Sequence, residues 1–295
     1  MSAKTYKFAL FYQLNEMHST KKDIIDIERV IKKKAPGAGK KIPSFIYSML
    51  KRIICQDDLN HCLQKNAGKE GIAFADAIVE DLASGIEVVG LDKIPLEGRY
   101  IFASNHPLGG MDGIALLSVL GKRFGPDVRF IVNDLLMNVR PLAPVFVPVN
   151  KHGGQSKDNL DQLNTILESD MQVALFPAGL VSRLQENGRI EDLEWKKTFV
   201  SQAIRYKRDI VPVYFEAKNS GFFYKFAYWR KKLKIKVNID MLFLPRELFN
   251  KKNQKFIVHF GEPISYVSLQ EERSHKEWAK HIKKQLYAKH YRTHR

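Results

Sequence analysis

From residue 86 onward, short runs rich in β-branched and aromatic residues alternate with helical stretches, and this alternation limits the possible folds most strongly. The segments 112–122, 156–169 and 193–206 suit helices. Strands that alternate with helices are typical of a sheet covered on both faces. The sequence therefore predicts an α/β fold with a mixed, largely parallel sheet flanked by helices. The predicted strands are 86–89, 100–103, 128–132, 145–149, 172–176 and 210–215, with two more near 234–244 and 255–260.

The segments on either side of this region are predicted to be helical. Residues 21–90 carry apolar side chains at helical spacing, and one of their helices covers about 71–83. Near the other end, Trp278, Ile282 and Leu286 lie on one face of an amphipathic helix. We therefore divide the chain into a helical N-terminal region, an α/β domain and a basic amphipathic C-terminal helix, with bounds 1–85, 86–265 and 266–295.

One loop, residues 104–113, reads Ser-Asn-His-Pro-Leu-Gly-Gly-Met-Asp-Gly and directly follows the second predicted strand. Loops at the carboxyl ends of strands carry the sites of many α/β proteins. Asp112 can accept from one ring nitrogen of His106, which leaves the other nitrogen free to take a proton from a hydroxyl. Gly109 and Gly110 allow the sharp turn that brings them together. The loop therefore predicts a catalytic pair, and the alternative is that both residues only cap the loop.

A second loop, residues 176–183, reads Phe-Pro-Ala-Gly-Leu-Val-Ser-Arg and follows another predicted strand. Gly179 frees the backbone, so that amides can point at an anion or an oxyanion. Arg183 offers a planar fork that suits phosphate or carboxylate, and Lys197 can supply a second positive charge to an acceptor site. The alternative is a plain turn with a surface arginine and a solvated lysine. A Val-Pro-Val run at 211–213 follows.

Taken in order, Asn-His…Asp, Phe-Pro-x-Gly…Ser-Arg and Val-Pro-Val resemble the motifs of the glycerolipid acyltransferase family, whose best-known members acylate lysophosphatidic acid. The resemblance covers residues 86–265 and implies a glycerol-3-phosphate acyltransferase-like fold. It implies that His106 is the general base on the acceptor hydroxyl and that Asp112 orients it, so that the hydroxyl attacks the thioester of acyl-CoA or acyl carrier protein directly. It further implies that Asn105, Gly109 and Gly110 shape the loop and stabilise the oxyanion. It implies that Gly179, Ser182 and Arg183 bind a lyso-lipid acceptor.

The sequence departs from the family pattern at three places. Five residues, instead of four, lie between His106 and Asp112, and the glycine pair can absorb the extra residue. Ala178 stands where the family has Glu, and the segment 145–151 lacks the family's phosphate-binding arginine. The whole pattern resembles a bacterial branch associated with amino-acid-containing lipids. That branch implies an acceptor with a carboxylate head group, which Arg183 can bind, and a free hydroxyl on its fatty chain.

The charge of the chain predicts an anionic partner. Lys and Arg number 48 against 32 Asp and Glu, which gives a net charge of +16. Both nucleic acid and an anionic membrane surface fit this charge. Residues 221–236 combine aromatic and basic side chains, as lipid interfaces do, although these aromatics suit a core equally well. No RNA- or DNA-binding module is recognisable, so we expect the anionic partner to be a membrane surface and not a nucleic acid. No run in the sequence approaches the roughly 18 apolar residues that a membrane-spanning helix needs.

The remaining expectations concern compartment, cofactors and rival functions. Two cysteines, Cys55 and Cys62, make no disulfide framework, which favours a reducing compartment. Together with the positive charge, this predicts a cytoplasmic protein bound peripherally to the inner face of the membrane. We expect no metal and no cofactor, with acyl-CoA or acyl carrier protein as co-substrate, because nucleotide and metal motifs are absent. The alternatives are a non-catalytic lipid-binding relative, a basic nucleic-acid-binding protein, and a serine hydrolase, whose Gly-x-Ser-x-Gly elbow is missing.

Overall fold

A seven-stranded sheet forms the centre of the protein, with the strand order β1-β9-β8-β2-β5-β3-β4. The computed structural model describes residues 25–34, 42–133, 136–137, 139–149, 156–235 and 237–291. Parts of the predicted N-terminal region, residues 1–24 and 35–41, lie outside the described residues. Neighbouring strands of this sheet are parallel except β8 and β9, which confirms the predicted mixed, largely parallel α/β fold. The strands are β1 Ala83–Val89, β2 Tyr100–Ser104, β3 Val128–Asn133, β4 Phe146–Val149, β5 Gln172–Leu175, β8 Asp209–Glu216 and β9 Gln254–Phe260, and a separate antiparallel pair is β6 Arg183–Leu184 with β7 Ile190–Glu191.

Helices cover both faces of the sheet. Alternate residues of each strand point to opposite faces, so Phe102 of β2 packs on one side and Ile101 on the other. The side of Phe102 is covered by α4 and α5, and the side of Ile101 by α6, α7 and α10. None of the helices among the described residues is long and apolar enough to cross a membrane. The helices are α1 Ile27–Lys34, α2 Ser44–Ile53, α3 Gln56–Lys65, α4 Gly71–Leu82, α5 Met111–Phe124, α6 Lys157–Glu168, α7 Thr198–Arg205, α8 Gly221–Lys232, α9 Leu244–Phe249 and α10 His275–Tyr291.

The strand predicted near 234–244 is wrong. Ile239–Phe243 form a 3-10 turn, and α9 follows directly, with Pro245 in its first turn, where proline suits a helix. Met241, Phe243 and Leu244 pack against α8 and the second motif loop, away from the sheet. A buried Asp240 also lies in the turn. The apolar content of the segment thus reflects packing on a helix, which a strand pattern does not distinguish.

The order of the strands explains where a site can form. The chain leaves β2 through α5, which covers one face, and leaves β5 through α7, which covers the other. Strands β2 and β5 are direct neighbours and parallel. The loops that follow them therefore diverge toward opposite faces, which opens a crevice at the carboxyl edge of the sheet. The first motif loop follows β2, and the second motif loop follows β5.

Candidate active site

The structure brings His106 and Asp112 together. Nδ1 of His106 lies 2.9 Å from Oδ2 of Asp112. An ionised carboxylate only accepts, so Nδ1 carries the proton and Nε2 is left as the basic nitrogen. Gly109 turns the loop between the two residues, with a φ of +84° that residues with side chains avoid. A side chain at that position would also strike Val181 and Leu244, which explains why glycine is needed there.

Four backbone amides hold the carboxylate of Asp112. The amides of Leu108 and Gly109 donate to Oδ2 at 2.8 and 3.2 Å, and those of Gly110 and Gly113 donate to Oδ1 at 3.0 Å each. Burial raises the pKa of this carboxyl, but His106 and the amides outweigh burial and hold the pKa below its ordinary value. The amides of the glycine pair are thus directed at the carboxylate, although the resemblance assigns these residues partly to the oxyanion.

This lowered pKa predicts how Asp112 contributes to stability as pH changes. A carboxyl whose pKa falls on folding stabilises the protein above its unfolded pKa, near 3.8, and loses that contribution as pH falls through the folded value. We expect Asp112→Asn to be less stable than wild type near pH 5, and this difference in unfolding free energy to shrink below about pH 4. Urea unfolding at a series of pH values measures it, with Asp161→Asn on the exposed face of α6 as the control. A difference that grows on acidification would contradict this account.

An aromatic ring fixes the plane of the imidazole. Phe176, the first residue after β5, stacks on His106 with 3.8 Å between ring centroids and 16° between planes. Phe130 of β3 supports Phe176 from behind, at 5.0 Å between centroids. The side chain of His106 remains 15% exposed. The imidazole is therefore held from both motif loops and still reachable from the crevice.

Asp192, which the sequence analysis did not single out, ties the two motif loops together. Its Oδ1 accepts from the backbone amide of His106 at 3.1 Å and from the hydroxyl of Ser182 at 2.6 Å. Its Oδ2 accepts from the indole of Trp195 at 2.9 Å, and its own amide donates to the hydroxyl of Tyr287. Burial raises the pKa of this carboxyl. No motif surrounds Asp192, so only its position in space reveals it.

Two asparagines fix the start and the middle of the first motif loop. Asn105 pairs with the backbone of Phe215 on β8, donating to its carbonyl at 3.1 Å and accepting from its amide at 2.6 Å. The side chain of Asn105 thus takes the place of the next pair of backbone hydrogen bonds between β2 and β8. It does not line the cavity described below. Asn219, just before α8, donates to the carbonyl of Pro107 at 3.1 Å.

A cavity of about 710 Å³ opens beside His106 and reaches both faces of the sheet. Its lining is mainly apolar and comes from the two separate cores of the domain. The glycines at 109, 110 and 179 also line it. We call the lining residues on the side of Phe102 the first arm and those on the side of Ile101 the second arm. The first arm comprises Gly113, Ile114, Leu117, Phe130, Leu142 and Phe146, and the second arm Leu160, Leu163, Leu167, Phe199, Gln202 and Tyr206.

The structure separates the four residues predicted to bind the acceptor. Gly179, with φ of +64°, lines the cavity. Ser182 is buried, and its hydroxyl contacts Asp192 and the carbonyl of His106. Lys197 is exposed at the start of α7 and is absent from the cavity lining. Only Gly179 of these three therefore lines the cavity beside His106.

The fourth, Arg183, is held in an ion pair below the surface. Its guanidinium lies 2.6 Å from Oδ2 of Asp240, whose other oxygen contacts the guanidinium of Arg230 at 2.5 Å. The side chain of Arg183 is 11% exposed and that of Asp240 is fully buried. The ring of Phe223 lies under the guanidinium, at 5.2 Å. Arg183 therefore connects the second motif loop to α8 and to the turn that follows it.

Sequence comparison identifies the class to which this fold and site belong. The sequence model of the family described as "Acyltransferase" matches residues 29–292, so the chain belongs to the acyltransferase family and is an acyl-transferring enzyme. The predicted family resemblance is thereby confirmed.

Two relatives are each named lyso-glycine lipid O-acyltransferase. The one from Bacteroides thetaiotaomicron is 46% identical over 264 residues, which are 90% of this chain and 97% of that protein. The one from Phocaeicola vulgatus is 44% identical over 264 residues, covering 90% and 94% of the two chains. The crystal structure of the 1-acyl-sn-glycerophosphate (LPA) acyltransferase PlsC from Thermotoga maritima aligns with a TM-score of 0.44 and 15% identity, over 81% of this chain and 78% of that one.

Proposed function

We propose that the protein transfers a fatty-acyl group from a thioester donor, acyl-CoA or acyl carrier protein, to the hydroxyl of a lyso amino-acid lipid with a glycine head group. The observation that carries the proposal is the His106–Asp112 pair at the mouth of a largely apolar cavity. The names of the two relatives support the class of acceptor.

The geometry of the pair suits direct transfer. Asp112 holds the proton on Nδ1 of His106, and Nε2 takes the proton of the acceptor hydroxyl as its oxygen attacks the thioester carbonyl carbon. The carbon–oxygen bond forms, the carbon–sulfur bond breaks, and the proton passes from Nε2 to the leaving thiolate. The nearby hydroxyls of Ser104 and Ser182 are hydrogen-bonded within the loops, which disfavours an acyl-serine intermediate and the serine hydrolase alternative.

The two arms of the cavity suit the two hydrocarbon chains of this reaction. The donor brings one fatty chain, and the acceptor already carries another. Both chains must lie near His106 while their polar ends react, and burial of each methylene contributes about 0.8 kcal/mol. Arms on opposite faces of the sheet meet this requirement, because the reacting ends then converge at the carboxyl edge. A site for a single small substrate would need only one arm.

The proposal includes peripheral association with the inner face of a membrane through α8. Phe222, Trp229 and Leu233 are 51%, 54% and 67% exposed and follow one another at helical spacing. Exposed lysines at 225, 231, 232 and 234 flank this apolar stripe. Phe223 and Tyr224 are buried, so part of the aromatic content of α8 belongs to the core, and the exposed rings are those that we propose contact lipid. Asn219 donates to Pro107, so the start of α8 lies beside the first motif loop.

Vesicle binding tests this surface. We expect Phe222→Ser/Trp229→Ser to weaken binding to vesicles containing anionic lipid by about tenfold or more, because partly inserted rings contribute on the order of 1 kcal/mol each. Flotation at several salt concentrations measures the binding. The matched control is Leu96→Ser/Val267→Ser, two residues of similar exposure near the amino ends of β2 and β8. Equal loss in both double variants would exclude α8 as the docking surface without affecting the proposed reaction.

Acyl transfer by the purified protein tests the reaction itself. Labelled acyl carrier protein and acyl-CoA are offered with a lyso-glycine lipid and, separately, with lysophosphatidic acid in detergent. We expect transfer to the glycine lipid and little to lysophosphatidic acid. The reverse preference would overturn the proposed acceptor. Lipid binding without transfer to either acceptor would instead support a non-catalytic relative, and a shift with oligonucleotides but not lipids would support a nucleic-acid-binding protein.

A further inference from the structure

We propose that Lys196 binds the anionic head group of the acceptor, a carboxylate in the reaction proposed above, on which this inference rests. Lys196 lines the same cavity as His106 and is exposed to it. Its Nζ lies 3.8 Å from the point where a Cβ on Gly179 would stand. The ammonium therefore sits over the glycine of the second motif loop, where the family resemblance predicts the acceptor.

The other cations near the site are held elsewhere. Arg183 is buried in its ion pair with Asp240, and Lys197 is absent from the lining. Among the described residues that line the cavity, Arg205 is the other cation. It is at the far end of α7, roughly 10 Å along the helix from Thr198. Helix α7 runs away from the carboxyl edge, so Lys196 is the lining cation on the side of the catalytic pair.

Lys196 belongs to the same framework as His106. Its backbone amide donates to the carbonyl of Pro177 at 3.1 Å, next to the ring of Phe176 that stacks on His106. Its neighbour Trp195 donates to Asp192, which also accepts from the backbone of His106. The backbone of Lys196 is therefore held at a set position relative to His106, and the flexible stem lets the ammonium adjust from there. This arrangement suits an acceptor whose anion and hydroxyl lie in one molecule.

The chemistry of lysine suits this task. The ammonium offers three donors on a flexible stem, and a charge-assisted hydrogen bond to a carboxylate is stronger than a neutral one. An ammonium in this position would equally attract the phosphates of an acyl-CoA donor. The test must therefore separate the acceptor's anion from the donor's.

Kinetics of Lys196→Ala with two acceptors make that separation. One acceptor is a lyso-glycine lipid, and the other is the same lipid with its carboxylate converted to a carboxamide. We expect Lys196→Ala to lower kcat/KM for the carboxylate acceptor by about 10- to 100-fold, mainly through KM. With the carboxamide acceptor, we expect kcat/KM of the wild type to be lower than with the carboxylate by a similar factor. Lys196→Ala should lower kcat/KM for the carboxamide little further. Lys196→Arg keeps part of the activity, and the adjacent Lys197→Ala serves as the matched control.

Several outcomes would overturn the proposal. These are an equal loss on both acceptors, an equal loss in Lys197→Ala, and a loss confined to the KM of acyl-CoA, which would assign the ammonium to the donor's phosphates. If wild type acylates neither acceptor, the proposed function fails, and calorimetric binding of the two lipids still tests Lys196. In that case, a preference for the carboxylate that vanishes in Lys196→Ala supports the site, and equal affinities reject it.

Discussion

Replacing His106 by alanine is expected to lower kcat for acyl transfer by about 10²- to 10⁴-fold, the usual contribution of a positioned general base. The side chain is the basic group at the cavity mouth, fixed by Asp112 on one nitrogen and by the ring of Phe176 on its face. In the proposed reaction the imidazole acts on the reacting hydroxyl, so the loss should appear in kcat more than in the KM of either substrate. Single-turnover transfer from labelled acyl carrier protein measures it.

The matched control is His61→Ala, which removes an exposed histidine of α3 and should leave kcat unchanged. Far-ultraviolet circular dichroism and urea unfolding of both variants establish that the fold is kept. If His106→Ala retained kcat within about twofold of wild type, the base would have to be another group, and the mechanism would lose its central residue.

Replacing Arg183 by methionine is expected to lower the free energy of unfolding by about 1.5–3 kcal/mol, because it removes a buried charge-assisted hydrogen bond to Asp240. Asp240 is fully buried and would keep only Arg230 as a counter-charge. The second motif loop would also lose its attachment to α8. Urea unfolding measures the change, with Arg52→Met on exposed α2 as a control that should cost less than about 0.5 kcal/mol.

A double-variant cycle separates this structural role from acceptor binding. Each single variant already removes the Arg183–Asp240 contact, and Arg230 loses its partner in both variants that carry Asp240→Asn. The loss in Arg183→Met/Asp240→Asn should therefore be at least about 1 kcal/mol smaller than the sum of the single losses. Additive losses would contradict the ion pair as the source of stability. If Arg183→Met instead raised the acceptor KM while the unfolding free energy stayed constant, the arginine would be an acceptor residue, as the sequence motif suggests.

Sequence patterns predicted those features of the structure that depend on residues close together in the chain. The runs at 100–103, 128–132 and 172–176 are strands in the structure, because continuous apolar segments of this length suit buried parallel strands. His106 and Asp112 lie within one loop, so their pairing needs only a turn that glycine permits. Sequence reasoning therefore located the pair, although not the amides that hold it.

Features that depend on distant segments were not predictable in this way. Arg183 and Asp240 are 57 positions apart, and nothing local shows that the motif arginine is paired. Lys196 and Lys197 are adjacent and chemically alike, and only the start of α7 decides which one lines the cavity. The strand predicted near 234–244 is wrong for a related reason, since its apolar residues pack on α8.

The attachment of Asp192 to α10 has a consequence for how the enzyme is made. The backbone amide of Asp192 donates to Tyr287, and Lys283 donates to its carbonyl, so the two partners lie 95 and 91 positions further along the chain. Because translation proceeds from the amino terminus, the framework behind His106 is completed only when residue 287 has been synthesised. A chain that stops before residue 283 would carry every motif and still lack this support.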